Sequence, residues 1–518
     1  MIKTEIRNSE MPKSCKVARK FVRSAKSASY EEAKKTECYR KTLKADYVQK
    51  HQKSNGDLVK YCKDGFIGSF TKGLPHDANG IVDTSAFLIL LKAIQCNRWN
   101  DIVLGAPLTG YKKSLLANPQ AIFFSTPTGF NTQAISTPPA PTLSSDEGGA
   151  EMVELYLMVA NRDVPFTDFN TINVTPLVNL IGYTGPTPVT TSNVFRGNSA
   201  GDLIGPYISQ LLLQDASNIV GTIPQSYNSL TPGTNYLTDR NEWLKAQNGN
   251  VLTTQSFTGI NRYIFNGRQL ANYVHSDPPC QAWLNASNIL SRLAFPLSPT
   301  NPYANGTITT QGPFITFGQP DLHVMITDVS QLALAVAWHT KWQLEFRLRP
   351  EEYSGLIDDQ VRLGVDRGLP TNIINSSVLT PLVPTKLLSQ VYPEGAPLHP
   401  SYPSGHAATA GACATILKAF FNGATTFATP FQSSMDGLTL IPFVGVGLTL
   451  NNELDKMASN MSYGRNWSGI HYRSDAEQGI LLGERVAIEY LRQRKHTYNE
   501  KFKGFEITTR SGKYLLIR

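Results

Sequence analysis

HPSYPSGHAATAGACATILKAFF, His399 to Phe421, starts as a proline-broken loop and ends as a helix. Pro403 interrupts any earlier helix, and Ser404 is a good N-cap for the one that follows. From Gly405 to Ala414 most residues are glycine or alanine. A helix with so little bulk lets neighbouring helices approach closely. Its start presents free backbone N–H groups and the positive end of the helix dipole, which suits an oxyanion. Gly405 admits an anion close to the backbone, and His406 follows in the first turn. The plainer alternative is an ordinary capped helix with a surface histidine.

Working outward, helical patterns cover Asp83 to Arg98, Glu151 to Asn161, and about 258–275, 280–295, 328–348, 405–420 and 470–493. Between them lie stretches rich in Pro, Gly, Ser and Thr, such as STPPAPTLSSDEGGA, read as loop to near Ala150, and an irregular region over 170–260. Strand patterns are few. The tail FEITTRSGKYLLIR alternates about Ser511-Gly512 and predicts a terminal hairpin. The fold class is therefore mainly α with long loops and few short strands. Three parts are expected: a basic arm over 1–60, a main domain over 61–493 with the site in its C-terminal half, and a tail or hairpin over 494–518.

The charge balance, 48 basic against 40 acidic residues, leaves +8. Much of the excess lies in the first 60 residues, at Lys13, Lys16, Arg19, Lys20, Arg23 and Lys26. No nucleic-acid-binding motif accompanies it, so an oligomer contact is preferred over an anionic polymer. No apolar run approaches the roughly 18 residues of a membrane span. The start has no apolar segment typical of a signal peptide, so a soluble, cytoplasmic or leaderless protein is expected. Six scattered cysteines form no CxxC pair. Cys413 reads as a buried thiol, and a disulfide among Cys15, Cys38 and Cys62 is left open. Asn466 heads a glycosylation sequon inside a stretch that also carries site residues, so a glycan there would abolish function.

Two further segments carry chemistry. In WHTKWQLEFRLRPEEY, Trp338 to Tyr353, Lys341 and Arg349 are eight residues apart, a net rotation of about 80° on one helix. Both cations then lean to one side, Pro350 makes Arg349 project from the helix end, and Thr327 or Asp328 caps the helix start. In MSYGRNWSGIHYRSDAEQGILLGERVAIEYL, Met461 to Leu491, Gly464 and Gly469 suggest a turning backbone that aims Arg465 and His471 inward. His471 and Asp475 stand at i and i+4, so the carboxylate can hold the imidazole tautomer. Together the segments supply three cations, the Ser404 and Gly405 donors and a ligating or nucleophilic His471. Three gathered cations are costly without an anion. Two chemistries remain open: phosphate-ester hydrolysis, with His471 as nucleophile in a soluble acid phosphatase, or a vanadate cofactor bonded to His471.

The order K-x7-RP, PSGH and R-x5-H resembles the superfamily shared by vanadium haloperoxidases and type 2 phosphatidic acid phosphatases. KGLPHDANGIVD (72–83), VELYLMVANRDVPF (153–166), KWQLEFRLRPEEY (341–353) and LHPSYPSGHAA (398–408) are similar to red-algal and cyanobacterial haloperoxidases. The resemblance implies two four-helix bundles and often a large homo-oligomer. It implies that His471 bonds vanadium, that Lys341, Arg349, Ser404, Gly405 and Arg465 contact the vanadate oxygens, and that His406 is the acid–base residue. His399 resembles the second active-site histidine of bromoperoxidases. The implied reaction oxidises halide with hydrogen peroxide to hypohalous acid, which halogenates small organic acceptors. Lys341 withdraws charge, and His406 or His399 moves protons. A structural calcium has no ligands that the sequence places. One departure is Trp338, where algal bromoperoxidases usually carry arginine and fungal chloroperoxidases tryptophan. Trp338 therefore reads either as the wall of a drier halide pocket that admits chloride, or as a core residue of its helix.

Overall fold

The small-residue helix spans Gly405–Phe420, and the Ser404 Oγ accepts the Ala407 N–H at its start. The computed structural model describes residues 13–17, 19–21, 53–121, 132–133, 135–217 and 221–518. Its helices of three turns or more are α1 (Thr84–Cys96), α2 (Asp146–Ala160), α3 (Gln281–Arg292), α4 (Gln319–His339), α5 (Pro350–Arg362), α6 (Gly405–Phe420), α7 (Leu450–Trp467) and α8 (Arg473–Lys495). The described strands form two-stranded antiparallel pairs. The fold is mainly helical, as expected.

Helices α4, α6, α7 and α8 pack together as a four-helix bundle, with α6 in contact with the other three. The missing side chains of α6 are why. A Cβ on Gly483 of α8 would overlap the Ala408 carbonyl, and one on Gly411 of α6 would overlap that of Ile480. At this crossing backbone touches backbone, so a larger residue forces the helices apart. A second apolar cluster lies under α1, where Phe66, Phe70, Phe87 and Leu90 meet Trp342, Phe346 and Leu398.

Several local expectations change. Helix α2 begins at Asp146, earlier than Glu151, because Ser145 caps the Gly148 N–H. The stretch 258–275 is not one helix. Phe257–Arg262 is a strand paired with Tyr227–Leu230, and a short helix, Gly267–Tyr273, starts afresh at the Asn266 cap. Helix α7 was not foreseen: LNNELDKMASNMSYGRNW is rich in Asn, Ser and other poor helix formers. Burial explains it. Its polar side chains are paired inside, as in Lys456–Glu453 and Asp455–Lys418, so a core helix reads as polar. Thr327 and Asp328 lie mid-helix in α4, whose N-cap is Gly318.

The basic arm falls mostly outside the described residues. Its described part is tied down: Cys15 bonds Cys62, and Phe21 packs edge-on against Phe346. Cys38 lies outside the described residues. Cys413 is a buried free thiol. The tail forms the expected hairpin, β1 (Phe505–Thr508) with β2 (Tyr514–Ile517), with Phe505, Ile507 and Ile517 buried. Asn466 is fully buried, which leaves no room for a glycan. Among the described residues no helix is long and apolar enough to cross a membrane.

Candidate active site

The site forms where the N-terminus of α6 meets the break between α4 and α5 and the link between α7 and α8. Helix α4 ends at His339 and continues as a wider π turn, Thr340–Glu345, which Phe346 stops in a left-handed conformation. Lys341 sits in that turn, and Arg349 is the N-cap of α5 with Pro350 behind it. The two cations therefore do not share a helical face. A break in the helix at Phe346 lies between them, so an 80° rotation on one helix does not relate them. Arg465 lies in the last turn of α7. Gly464 is helical there and packs against Val274, whereas Gly469 makes the turn with φ 87°.

The cations are deeply buried and held mainly by neutral acceptors. The Lys341 Nζ donates to the carbonyls of Pro400 and Ser401, each at 2.7 Å. Arg349 donates from Nε to the His399 carbonyl at 2.9 Å and from Nη1 to that of Ile470 at 3.0 Å. The Arg465 Nη1 donates to the Val274 carbonyl at 2.5 Å, and its buried Nε has no hydrogen-bond partner. Among the described residues none of the three guanidinium or ammonium groups is paired with a carboxylate. Burial, and then Arg349 and Arg465 beside it, pushes the Lys341 amine well below its ordinary range. Burial, with Arg465 nearby, lowers Arg349 to about 9.

His471 precedes α8 and does not lie on it; Tyr472 is the N-cap, and the Asp475 carboxylate folds back from the first turn. The imidazole Nδ1 lies 2.7 Å from Asp475 Oδ2. With Nδ1 protonated toward that carboxylate, Nε2 carries the lone pair, and it accepts from Arg349 Nη1 at 2.8 Å. Burial, followed by Arg349, holds the imidazole well below its ordinary value, so it is neutral. Burial alone would raise the Asp475 carboxyl. Arg347 at 2.8 Å and the bonds from His471 and Ser401 instead hold it well below the usual range.

Ser404 and Gly405 stand at the α6 N-terminus, tied to α8 because the Ser404 N–H donates to the Asp475 carbonyl at 3.0 Å. In the next position the His406 Nε2 lies 2.8 Å from Asp277 Oδ1. The His399 ring is 2.9 Å from Arg349 Nη2, and burial beside Arg349 and Lys341 pushes its pKa well down. His399 also packs against Trp338, ring centres 4.8 Å apart. Trp338 is partly buried against the second apolar cluster and also lines the cavity at the site, with Nε1 donating to the Asn118 carbonyl at 3.0 Å. That cavity, about 390 Å³, is also lined by His399, His406, Arg465 and His471.

Every sequence-derived site residue thus converges on one place. Sequence reasoning missed Asp277, Ser401, Arg347 and Glu151. Ser401 lay within the quoted motif and could have been read as a donor. The others are 128 to 323 residues from the groups they hold, and no local pattern points to them. For a structural calcium, the described residues offer no group of three or more His, Cys, Asp or Glu side chains.

Comparison with known proteins places this geometry. The family model described as the VCPO second helical-bundle domain matches residues 324–500. A vanadium-dependent bromoperoxidase of Corallina pilulifera is 33% identical over 84% of this chain and 89% of its own. Another, from Ascophyllum nodosum, is 34% identical over 83% of each. A solved homohexameric vanadate-dependent bromoperoxidase of Ascophyllum nodosum superposes with a TM-score of 0.83 at 28% identity, covering 91% of this chain and 88% of that one.

Proposed function

Since the chain belongs to the vanadium-dependent haloperoxidases, we propose that its buried cation cluster holds vanadate, with His471 Nε2 as the ligating nitrogen and Lys341, Arg349, Ser404, Gly405 and Arg465 around the oxygens. The reaction is oxidation of halide by hydrogen peroxide to hypohalous acid, which halogenates organic acceptors. The phosphatase alternative gives way, because the relatives over most of the chain are peroxidases.

One observation supports the placement above all: three buried cations converge on a neutral histidine lone pair with no carboxylate among them, and Arg465 keeps an unpartnered buried Nε. A protein rarely leaves buried charge uncompensated, and an oxyanion with several acceptor oxygens fits this donor set. Bound vanadate supplies a Lewis-acidic centre at which peroxide becomes electrophilic toward halide. The chain does the rest. Asp475 keeps the His471 proton on Nδ1, so Nε2 keeps a lone pair that would ligate once Arg349 Nη1, which donates to it here, turned to an oxygen of the anion. Lys341, Arg349 and Arg465 draw negative charge from the bound oxygens. Asp277 orients His406 through Nε2, so that His406 would serve as the acid–base group beside the anion, and His399 would be the second proton carrier. Trp338 dries the halide pocket and admits chloride beside bromide and iodide.

The assembly is a homo-oligomer, as in the homohexameric relative, with residues 1–60 as a contact arm, 61–493 as the catalytic unit and 494–518 as a tail. The test is bromination of a dione reporter with bromide and peroxide, before and after orthovanadate. Turnover should appear with vanadate and vanish in His471→Ala. Hydrolysis of an aryl phosphate without any halogenation would sink the reading.

A further inference from the structure

We infer that a second cavity, lined by Arg196, Tyr207 and Phe166, binds a small monocarboxylate whose apolar body is the size of a single ring. The inference goes beyond the proposed function, because this cavity shares no lining residue with the one over His471. It also gives a place to Phe166, which ends the motif 153–166 and takes no part in the vanadate site. The cavity measures about 180 Å³. An apolar cavity of roughly 150 Å³ holds benzene, so one ring with a carboxylate is the right scale.

Arg196 supplies the charge. Its Nη1 donates to the Asp202 carbonyl at 2.7 Å and its Nη2 to that of Gly205 at 3.2 Å, which fixes the guanidinium and leaves N–H groups for a ligand. Burial lowers its pKa from the ordinary value. Among the described residues no carboxylate pairs with it. Asp202 and Glu453 are near enough to favour its charge, but both are committed elsewhere. Asp202 meets Arg510 at 2.9 Å and the Ser199 hydroxyl at 2.7 Å. Glu453 meets Lys456 at 2.6 Å and the Gln210 N–H at 2.8 Å. A guanidinium held by carbonyls, with no counter-charge and a cavity beside it, repeats on a smaller scale what Arg349 shows. The planar fork of one arginine matches one carboxylate through two parallel hydrogen bonds.

The walls select the body of the ligand. Tyr207 and Phe166 stack with ring centres 4.0 Å apart, and the Arg196 guanidinium lies 5.2 Å from the centre of the Tyr207 ring. The Tyr207 hydroxyl fixes that stack, donating to the Phe195 carbonyl at 2.7 Å and accepting from Trp467 Nε1 at 3.2 Å. Ile208, Leu213 and Phe443 complete an apolar wall. An apolar body gains ~25 cal/mol for each Å² that this wall takes from water. Sulfate or phosphate gains nothing from it and brings more charge than one guanidinium meets.

Benzoate is the probe, titrated by ligand-observed NMR into the full protein with orthovanadate in excess to compete for the cation cluster around His471. Saturable binding is expected. It should weaken at least tenfold in Arg196→Gln, and less in Arg196→Lys, which keeps the charge without the fork. Thr167 is exposed and lines the same cavity, so Thr167→Trp should also weaken binding at least tenfold while leaving every buried charge in place. Circular dichroism shows that each variant is folded, and where Arg196→Gln is not, Thr167→Trp carries the test. Absence of saturable binding, or binding that Thr167→Trp leaves unchanged, overturns the inference. Equal binding of benzyl alcohol, or tighter binding of inorganic phosphate with the same sensitivity to Thr167→Trp, overturns the choice of a carboxylate. The variants locate the site, so the outcome is independent of the vanadate reading.

Discussion

Arg347 and Arg349 are two residues apart, equally buried, and opposite in circumstance. Arg347 meets Glu151 at 2.7 Å and Asp475 at 2.8 Å, and its ring neighbour Tyr472 lies 3.8 Å beneath the guanidinium. Burial would lower its pKa, but the two carboxylates hold it above the ordinary range. Arg349 has carbonyls and imidazoles in place of carboxylates, and it is lowered to about 9. Residues i and i+2 of an extended segment share a face, so the two arginines are set apart by their partners and not by strand alternation. Arg347 is matched by carboxylates within the protein. Arg349 is met by neutral acceptors, and its positive charge is left for an anion. A functional site is marked here by a missing counter-charge more than by the presence of any residue type.

The comparison breaks most visibly if each arginine is removed in turn. Arg347→Ala strands two buried carboxylates and is expected to cost ~3–5 kcal/mol of folding stability in chemical denaturation. Arg349→Ala should cost far less in the vanadate-free protein, and should abolish the rise in melting temperature that orthovanadate gives the wild type. Equal losses in the two variants would mean that both arginines are merely structural.

A third buried base sharpens the contrast, because a histidine can shed its proton where an arginine does not. His339, 1% exposed, is lowered by burial to about 4. Its unfolded value is near 6.5, so the unfolded chain takes the proton first as pH falls. Stability from the neutral imidazole is complete above about pH 6.5 and is lost towards pH 4, up to ~3 kcal/mol. His339→Gln should flatten that part of the stability–pH curve, as urea unfolding at pH 7, 5.5 and 4.5 would show. An unchanged slope would mean that His339 is charged in the fold.

Asp475 belongs to both sides of the comparison, since it pairs with Arg347 and orients His471. Asp475→Asn keeps the shape and removes the charge, and vanadate affinity should fall ~10–100-fold. Titration of restored bromination against orthovanadate measures it. The smallest effect is expected at the cavity wall. Trp338→Arg adds a fourth cation beside His399 and should shift the chloride-to-bromide activity ratio a few-fold towards bromide. A ratio equal to wild type would remove Trp338 from halide selection.

Much of this site was legible in the chain because its parts act over short range. Pro403, Ser404 and Gly405 announce a helix start, the helix expected from Asp83 begins there, and Ser511-Gly512 turns the final hairpin. The π turn at Lys341 was not legible, since a 3.6-residue period says nothing about a helix that widens and stops at Phe346. Helix α7 was hidden for the opposite reason: its polar residues are paired with partners on other elements, Asp455 with Lys418 for one.

The sequence by itself determined the start of α6 at Ser404, its close-packed face and the roster of candidate ligands, because caps, breakers and missing side chains exert their effects within a turn or two. Only the tertiary structure decided which cations would lack a carboxylate, that Asp277 would hold His406, and that Trp338 would wall a cavity. Charge state and cavity shape depend on desolvation and on groups more than a hundred residues apart, and neither is a property of any local stretch of chain.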